Sequence, residues 1–112
     1  MTREQWSKMT DEEKRSKVAE LCGFIVDHKR PDTIWKTYET PGKLMPDYLN
    51  DLNAMHEAEK LMTIGQWMDY LVHLGAVAEP KIMEDWKVIA HATAVQRAEA
   101  FVLTKADIKG GD

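Results

Sequence analysis

The chain has 112 residues, of which 44% are hydrophobic and 30% are charged, and its formal net charge at pH 7 is −4. These values are typical of a single globular domain that buries about two thirds of its unfolded surface, and they exclude wholesale disorder. The longest apolar runs, such as Phe24-Ile25-Val26, are too short to span a bilayer, and the first residues lack the apolar core of a signal peptide. We therefore expect a cytosolic protein that makes no membrane contact.

Four predicted helix starts share one signature, a Thr followed three residues later by Gln or Glu. In such a capping box the Thr hydroxyl accepts from an orphan backbone amide, and the later side chain reaches back to the amide of the Thr. The four pairs are Thr2–Gln5, Thr10–Glu13, Thr63–Gln66 and Thr93–Gln96. Each precedes apolar residues at helical spacing, so a helix is predicted to follow each of them.

The second of these helices is predicted from Asp11 to Cys22, with Val18 and Leu21 facing inward and Gly23 as a left-handed stop. Cys22 is the only cysteine, which excludes an internal disulfide and a cysteine metal cluster. The helix dipole opposes thiolate formation at a helix C-terminus. Cys22 is therefore expected to be a small buried apolar residue, not a nucleophile.

A hairpin is predicted after this helix. Residues 24–28, FIVDH, are β-branched and aromatic, and residues 33–39, TIWKTYE, alternate in polarity. Pro31 lies in the turn between these segments, and Thr40-Pro41-Gly42 forms the next turn.

The alternation places the side chains of the second strand on two faces. Ile34, Lys36 and Tyr38 share one face, and Trp35 lies on the other. An aromatic side chain on an open face often anchors a protein contact, whereas a sheet covered on both faces would bury it as a structural residue.

The next helix is predicted from Pro46 or Asp47 to Met62. Its apolar residues gather on one face, but Glu59 falls inside that face and His56 lies one turn earlier. His and Glu at this spacing can point at one spot, which would suit a metal or a proton transfer. The alternative is a buried carboxylate that accepts from a Trp or Tyr donor or from a neighbouring basic group.

The remaining chain is predicted to contain two helices and one strand. A helix after Thr63 turns an apolar stripe inward and ends at Gly75; the stripe consists of Ile64, Trp67, Met68, Leu71 and Leu74. A loop over 76–85, a strand over 86–91 and a helix over 93–105 follow. The whole predicts an α+β domain over 1–108, with about four helices on a small, largely antiparallel three-stranded sheet, α/β/α sandwich-like, and a flexible tail over 109–112.

Recognisable catalytic patterns are missing from the sequence. There is no phosphate-binding Gly-rich loop, no nucleophile elbow and no HExxH pair. Two potential ligands, His56 and Glu59, are too few for a zinc site. The sequence therefore predicts no enzyme, no cofactor and no bound metal, with a small metal-dependent enzyme as the weakest alternative.

Charge is unevenly distributed along the chain. Residues 1–45 carry nine Lys or Arg and eight Asp or Glu, whereas residues 46–112 carry six and eleven. A nucleic-acid binder normally has a concentrated basic surface, so direct nucleic-acid binding is disfavoured. The exception is a local basic edge on the hairpin, formed by Lys29, Arg30, Lys36 and Lys43.

Three segments carry a resemblance to a family. TDEEKRSKVAELCGF, PDYLNDLNAMHEAEK and HATAVQRAEAF resemble stretches of small, uncharacterised bacteriophage and prophage proteins of the phage ABA (α/β/α) sandwich domain type. The resemblance implies an α/β/α arrangement, a phage origin and action in the cytoplasm of an infected bacterial host. It implies no reaction and no catalytic residues.

Together, these observations predict a non-enzymatic phage accessory protein that binds a host protein. An acidic face could compete for the basic channel of a nucleic-acid-binding defence effector, as an anti-CRISPR protein does. The predicted partner-binding residues are Asp47, Asp51, Asp69, Glu84, Asp85, Trp35 and Tyr38. Charge reversal at Asp47 and Asp51 is expected to weaken binding and leave folding unaffected.

Two further outcomes stay open at this point. A nucleic-acid-associated accessory protein could use the basic hairpin edge, and an open sheet face or edge strand could pair two copies of the chain.

Overall fold

The computed structural model describes residues 1–27, 29–37, 39–78 and 92–110. These residues form an α+β fold, as predicted. Its elements are α1 (Arg3–Ser7), α2 (Asp11–Leu21), β1 (Ile25–Asp27), β2 (Arg30–Trp35), β3 (Lys43–Leu44), α3 (Leu52–Glu59), α4 (Ile64–Ala78) and α5 (Ala94–Gly110). Within the described ranges, no helix combines the length and apolar character needed to cross a membrane.

All four predicted capping boxes are confirmed. Thr2 and Thr10 each accept from the amide three residues later and receive the reciprocal bond at their own amide. The same pair of bonds joins Thr63 with Gln66, and Thr93 with Gln96, at distances between 2.9 and 3.2 Å. These local contacts need only four consecutive residues, which is why the sequence predicts them well.

The hairpin is also confirmed, and a third strand extends it. The bounds predicted for its second strand are wrong, because β2 runs from Arg30 to Trp35 rather than over 33–39, so that Pro31 belongs to the strand and not to the turn. The strand order is β1-β2-β3 with antiparallel pairing throughout. Ile34 of the central strand pairs with Val26 of β1 and with Lys43 of β3. Gly23, with φ of +92°, provides the predicted left-handed stop between α2 and β1.

The third strand of the described sheet was not predicted. β3 has two residues, too few to show an alternating pattern, and the chain reaches it through the turn at Gly42. A Cβ on Gly42 would lie 2.7 Å from Trp35 Nε1, so only glycine allows the turn to pass this close to the indole. The strand predicted over 86–91 lies outside the described residues. Of the loop predicted over 76–85, residues 76–78 belong to α4 and the others lie outside the described residues.

The core lies between the helices and the inner face of the sheet. α5 is central, since it contacts α1, α2, α3 and α4, and α2 bridges it to β1 and β2. Ala98, Phe101 and Val102 of α5 are buried, as predicted, and they join Val18 of α2 and Ile34 of β2 in one cluster.

Several predicted helix boundaries are wrong. α3 begins at Leu52 rather than at Pro46 or Asp47, because Asp51 caps it and residues 48–50 form turns, and it ends at Glu59 rather than at Met62. α4 does not end at Gly75 but runs to Ala78. A glycine inside a helix costs about 1 kcal/mol relative to Ala. Here the burial of Leu74 and Val77 on either side offsets that cost.

The buried face of α4 also differs from the prediction. Leu74 is buried as expected, but Ile64 and Met68 are exposed, and Tyr70 and Val77 are buried with Leu74. α4 therefore carries two apolar stripes, and the one that includes Tyr70 faces the core.

The last helix, α5, runs to Gly110 rather than to its predicted end at 105, so residues 109 and 110 belong to this helix and not to the predicted flexible tail.

Candidate functional site

The carboxylate of Glu59 is the polar centre of the helical layer. Glu59 ends α3 with 4% of its surface exposed. The Tyr70 hydroxyl of α4 donates to Glu59 Oε2, and Arg97 Nη1 of α5 donates to the same oxygen at 2.9 Å. Three helices therefore meet at one carboxylate, and the predicted alternative of a Tyr donor with a basic neighbour is confirmed.

The surroundings of this carboxylate hold its partners in place. Arg97 Nε donates at 3.2 Å to the carbonyl of Ala92, which lies just before the start of α5. This bond orients the guanidinium. Burial raises the pKa of Tyr70 well above its usual range, and the hydrogen bond to Glu59 raises it further. The phenol is therefore a permanent donor at physiological pH.

This arrangement does not resemble a metal or proton-transfer site. His56 is exposed, and its Nε2 lies 3.9 Å from Glu59 Oε1, beyond hydrogen-bonding distance. Within the described ranges, no three His, Cys, Asp or Glu residues are grouped so that they could hold a metal ion. The geometry thus gives Glu59 a structural role that joins α3, α4 and α5.

The predicted acidic residues are in separate structural settings. Asp47 lies 3.9 Å from Arg15 Nη1 and accepts from Asn50 Nδ2. Asp51 is the N-cap of α3, where its carboxylate accepts from the Asn53 amide at 2.9 Å. A lysine at position 51 would remove this cap, so we now expect charge reversal at Asp51 to affect folding as well as binding.

The other predicted contact residues are only partly described. Asp69 is exposed on α4. Trp35 is half-buried, with its indole against the turn at Gly42. Tyr38, Glu84 and Asp85 lie outside the described residues.

An exposed apolar stripe on α4 was missed by the sequence reasoning. Ile64, Met68 and Val72 repeat every four residues and are 84%, 68% and 73% exposed, and Leu71 beside them is 39% exposed. We call these four residues the α4 stripe. The sequence of α4 does contain a signal for this stripe, because it has more apolar residues than one helix face can hold. On a surface helix such an excess indicates a second contact face.

A groove lies where the end of α2, the sheet and α3 meet. Its volume is about 480 Å³. Phe24, Tyr48 and Leu61 contribute apolar surface, and Lys36 and Lys43 contribute cations. We call this the hairpin groove.

Cys22 lines the hairpin groove. Burial raises the pKa of its thiol to about 11, although Lys105, Lys43 and a hydrogen bond with Tyr48 act in the opposite direction. At neutral pH the residue is therefore a protonated thiol, in agreement with the expectation that it is not a nucleophile.

Comparisons of this chain with protein-family models, with curated proteins and with solved structures found no match.

Proposed function

We propose that this protein is a non-enzymatic binding protein that docks the α4 stripe into an apolar cleft on another protein. The observation that carries the proposal is the exposure of Ile64, Met68 and Val72 on one face of a helix that is already anchored by its opposite face. Exposed apolar residues that are contiguous on a protein surface often mark a contact site for another protein.

The spacing of the α4 stripe suits recognition of a helix by a groove. Anchors at i, i+4 and i+8 lie along one line, and each large apolar side chain contributes about 1.5–3 kcal/mol when it is fully buried. Asp69 is exposed next to Met68 on the same helix. A matching partner therefore has an apolar cleft with a basic residue at its rim.

The site chemistry supports binding rather than turnover. Glu59 is the most buried carboxylate among the described residues, and two of its hydrogen bonds come from Tyr70 and Arg97. A general base needs a lone pair that faces a substrate, and this oxygen faces two protein donors.

The resemblance to phage proteins supports a bacterial host protein as the partner. A basic, nucleic-acid-binding defence effector is the specific target class that we propose, because the net charge of −4 favours association with a basic surface. In this proposal the protein acts in the cytoplasm of the infected cell.

A capture experiment with a stripe variant tests the proposal. Wild-type protein and Met68→Lys/Val72→Lys are immobilised and incubated with nuclease-treated bacterial lysate, and retained proteins are identified by mass spectrometry. Both substitutions lie at exposed positions, so the fold should persist and the thermal midpoint should change by only about 2 °C. Val95→Lys is the matched control, since Val95 is an exposed apolar residue on α5.

We expect a host protein that is retained by wild type and by Val95→Lys and is lost from the double variant. Retention of the same protein by the double variant, or no host protein above bare resin, would contradict the proposal.

The basic edge of the hairpin favours a second candidate function, which is nucleic-acid association. Lys29, Arg30, Lys36 and Lys43 are all exposed on or beside the β1–β2–β3 sheet. This function requires DNA or RNA binding that weakens with salt and is lost when Lys29, Arg30 and Lys36 are replaced by Gln. A titration without signal change at low salt would exclude it.

A further inference from the structure

We propose that the hairpin groove binds a small amphiphilic carboxylate, with the apolar body of the ligand in the groove and its carboxylate between Lys36 and Lys43. This site is separate from the α4 stripe and does not depend on the function proposed for that stripe.

The size and lining of the groove suit a small molecule. Ligand pockets commonly have volumes of roughly 300–1,000 Å³ and are mostly apolar with a few placed polar groups. The hairpin groove, at about 480 Å³, lies within that range. Phe24 and Tyr48 line it, together with Ala54, Ala58 and Leu61 of the α3 region.

The two lysines come from neighbouring parts of the hairpin. Lys43 of β3 pairs with Ile34 of β2, and Lys36 directly follows Trp35, the last residue of β2. Both lysines line the groove, so both can present an ammonium group to one bound carboxylate.

Lys43 is also held in position by an aromatic ring. Its Nζ lies 4.5 Å from the ring centroid of Phe24, which is a cation–π geometry. The cation is therefore fixed at the border between the apolar lining and solvent, where the head group of an amphiphile would lie.

The charge around the groove favours an anion. Glu57, the acidic residue among the described lining, is in contact with Lys60, whose Nζ lies 2.8 Å from Glu57 Oε1. Lys105 also acts electrostatically on the Cys22 thiol that lines the groove. In a protein of net charge −4 this locally cationic, apolar concavity is selective for an anionic ligand with an apolar body.

Decanoate is a suitable probe. Decyltrimethylammonium is the matched control, since it has the same chain length and a head group of opposite charge. Each is titrated below its micelle concentration into ¹⁵N-labelled protein, and amide shifts are followed by NMR. We expect saturable shifts around Phe24, Tyr48 and Leu61 with decanoate, and binding of the cationic analogue at least about tenfold weaker, since each charge-assisted contact contributes about that factor or more.

Variants locate the ligand within the groove. Lys36→Gln/Lys43→Gln should weaken decanoate binding about tenfold or more, whereas Lys29→Gln/Arg30→Gln, on the same hairpin but outside the groove, should leave it unchanged. Met68→Lys/Val72→Lys should also bind decanoate normally, which separates this inference from the function proposed for the α4 stripe.

Three results would overturn the inference. They are equal binding of the two probes, undiminished binding by Lys36→Gln/Lys43→Gln, and the absence of any saturable shift with decanoate. Ala54→Phe provides an independent check, because a ring at this half-buried lining position fills the groove without removing a charge. A variant whose amide spectrum matches the folded wild type should no longer bind decanoate.

Discussion

Arg97 and Tyr70 donate to the same oxygen of Glu59, so one atom links α3, α4 and α5. An ion buried without a partner is expensive, whereas an ion with two donors is tolerated in a core. The packing of the helical layer therefore depends on both donors, and the cost of losing each one can be measured separately.

Replacement of Arg97 by Met should be the more damaging change. It leaves Glu59 buried without its counter-charge, which costs about 3–5 kcal/mol in comparable buried pairs. The free energy of unfolding from urea titrations followed by circular dichroism measures this loss. Lys60→Met is the matched control, because it breaks an exposed ion pair with Glu57 and should cost less than about 1 kcal/mol.

A double variant distinguishes the buried-charge explanation from a general packing defect. Glu59→Met/Arg97→Met removes both charges and should recover part of the stability that Arg97→Met loses. A double variant that is less stable than Arg97→Met alone would show that the buried charge is not the cause.

Replacement of Tyr70 by Phe should have a smaller effect. It removes one donor and leaves Arg97 in place, so the expected loss is about 1–2 kcal/mol. The same urea titration measures it. A loss equal to that of Arg97→Met would mean that the phenol, and not the ion pair, holds the carboxylate in the core.

The type of partner for Glu59 could be predicted from the sequence, but its identity could not. A carboxylate inside an apolar stripe requires hydrogen-bond donors, and this requirement can be inferred from the sequence of that one helix. Arg97 is 38 residues away, so only the packing of α5 on α3 brings it there. The helix starts contrast with this case, because each capping box is complete within four residues.

The exposed face of α4 shows a second limit. Ile64, Met68 and Leu71 fit a helical stripe as well as Tyr70, Leu74 and Val77 do, so periodicity alone cannot choose between them. In the structure the stripe with Tyr70 faces the core, where its hydroxyl donates to Glu59, a contact between two helices that periodicity does not contain. The hairpin groove was equally unpredictable, since its lining comes from α2, the sheet and α3.

Asp51 should contribute to folding through its side-chain oxygen and not through its charge. As the N-cap of α3 it accepts from the Asn53 amide. Asp51→Ala should therefore cost about 1 kcal/mol, whereas Asp51→Asn, which keeps an acceptor, should cost little. Thermal unfolding by calorimetry compares the two. Equal losses in both variants would indicate that the charge matters instead, for example through the helix dipole.

Cys22 should be unreactive at pH 8 in the folded protein. Burial raises the pKa of its thiol from an ordinary value of 9.0 to about 11, so the thiolate fraction falls about 100-fold at that pH. Alkylation by iodoacetamide, followed by mass spectrometry, should be slower by about that factor in native protein than in urea, because the thiolate is the nucleophile.

Because the folded state holds this proton more tightly than the unfolded chain does, the associated stability is present below about pH 9 and is lost as the pH rises toward 11. Tyr48→Phe removes a hydrogen bond that lowers this pKa, so it should slow alkylation of the folded protein further. Equal alkylation rates in native and unfolded protein at pH 8 would refute the assignment of Cys22 as a half-buried, protonated thiol.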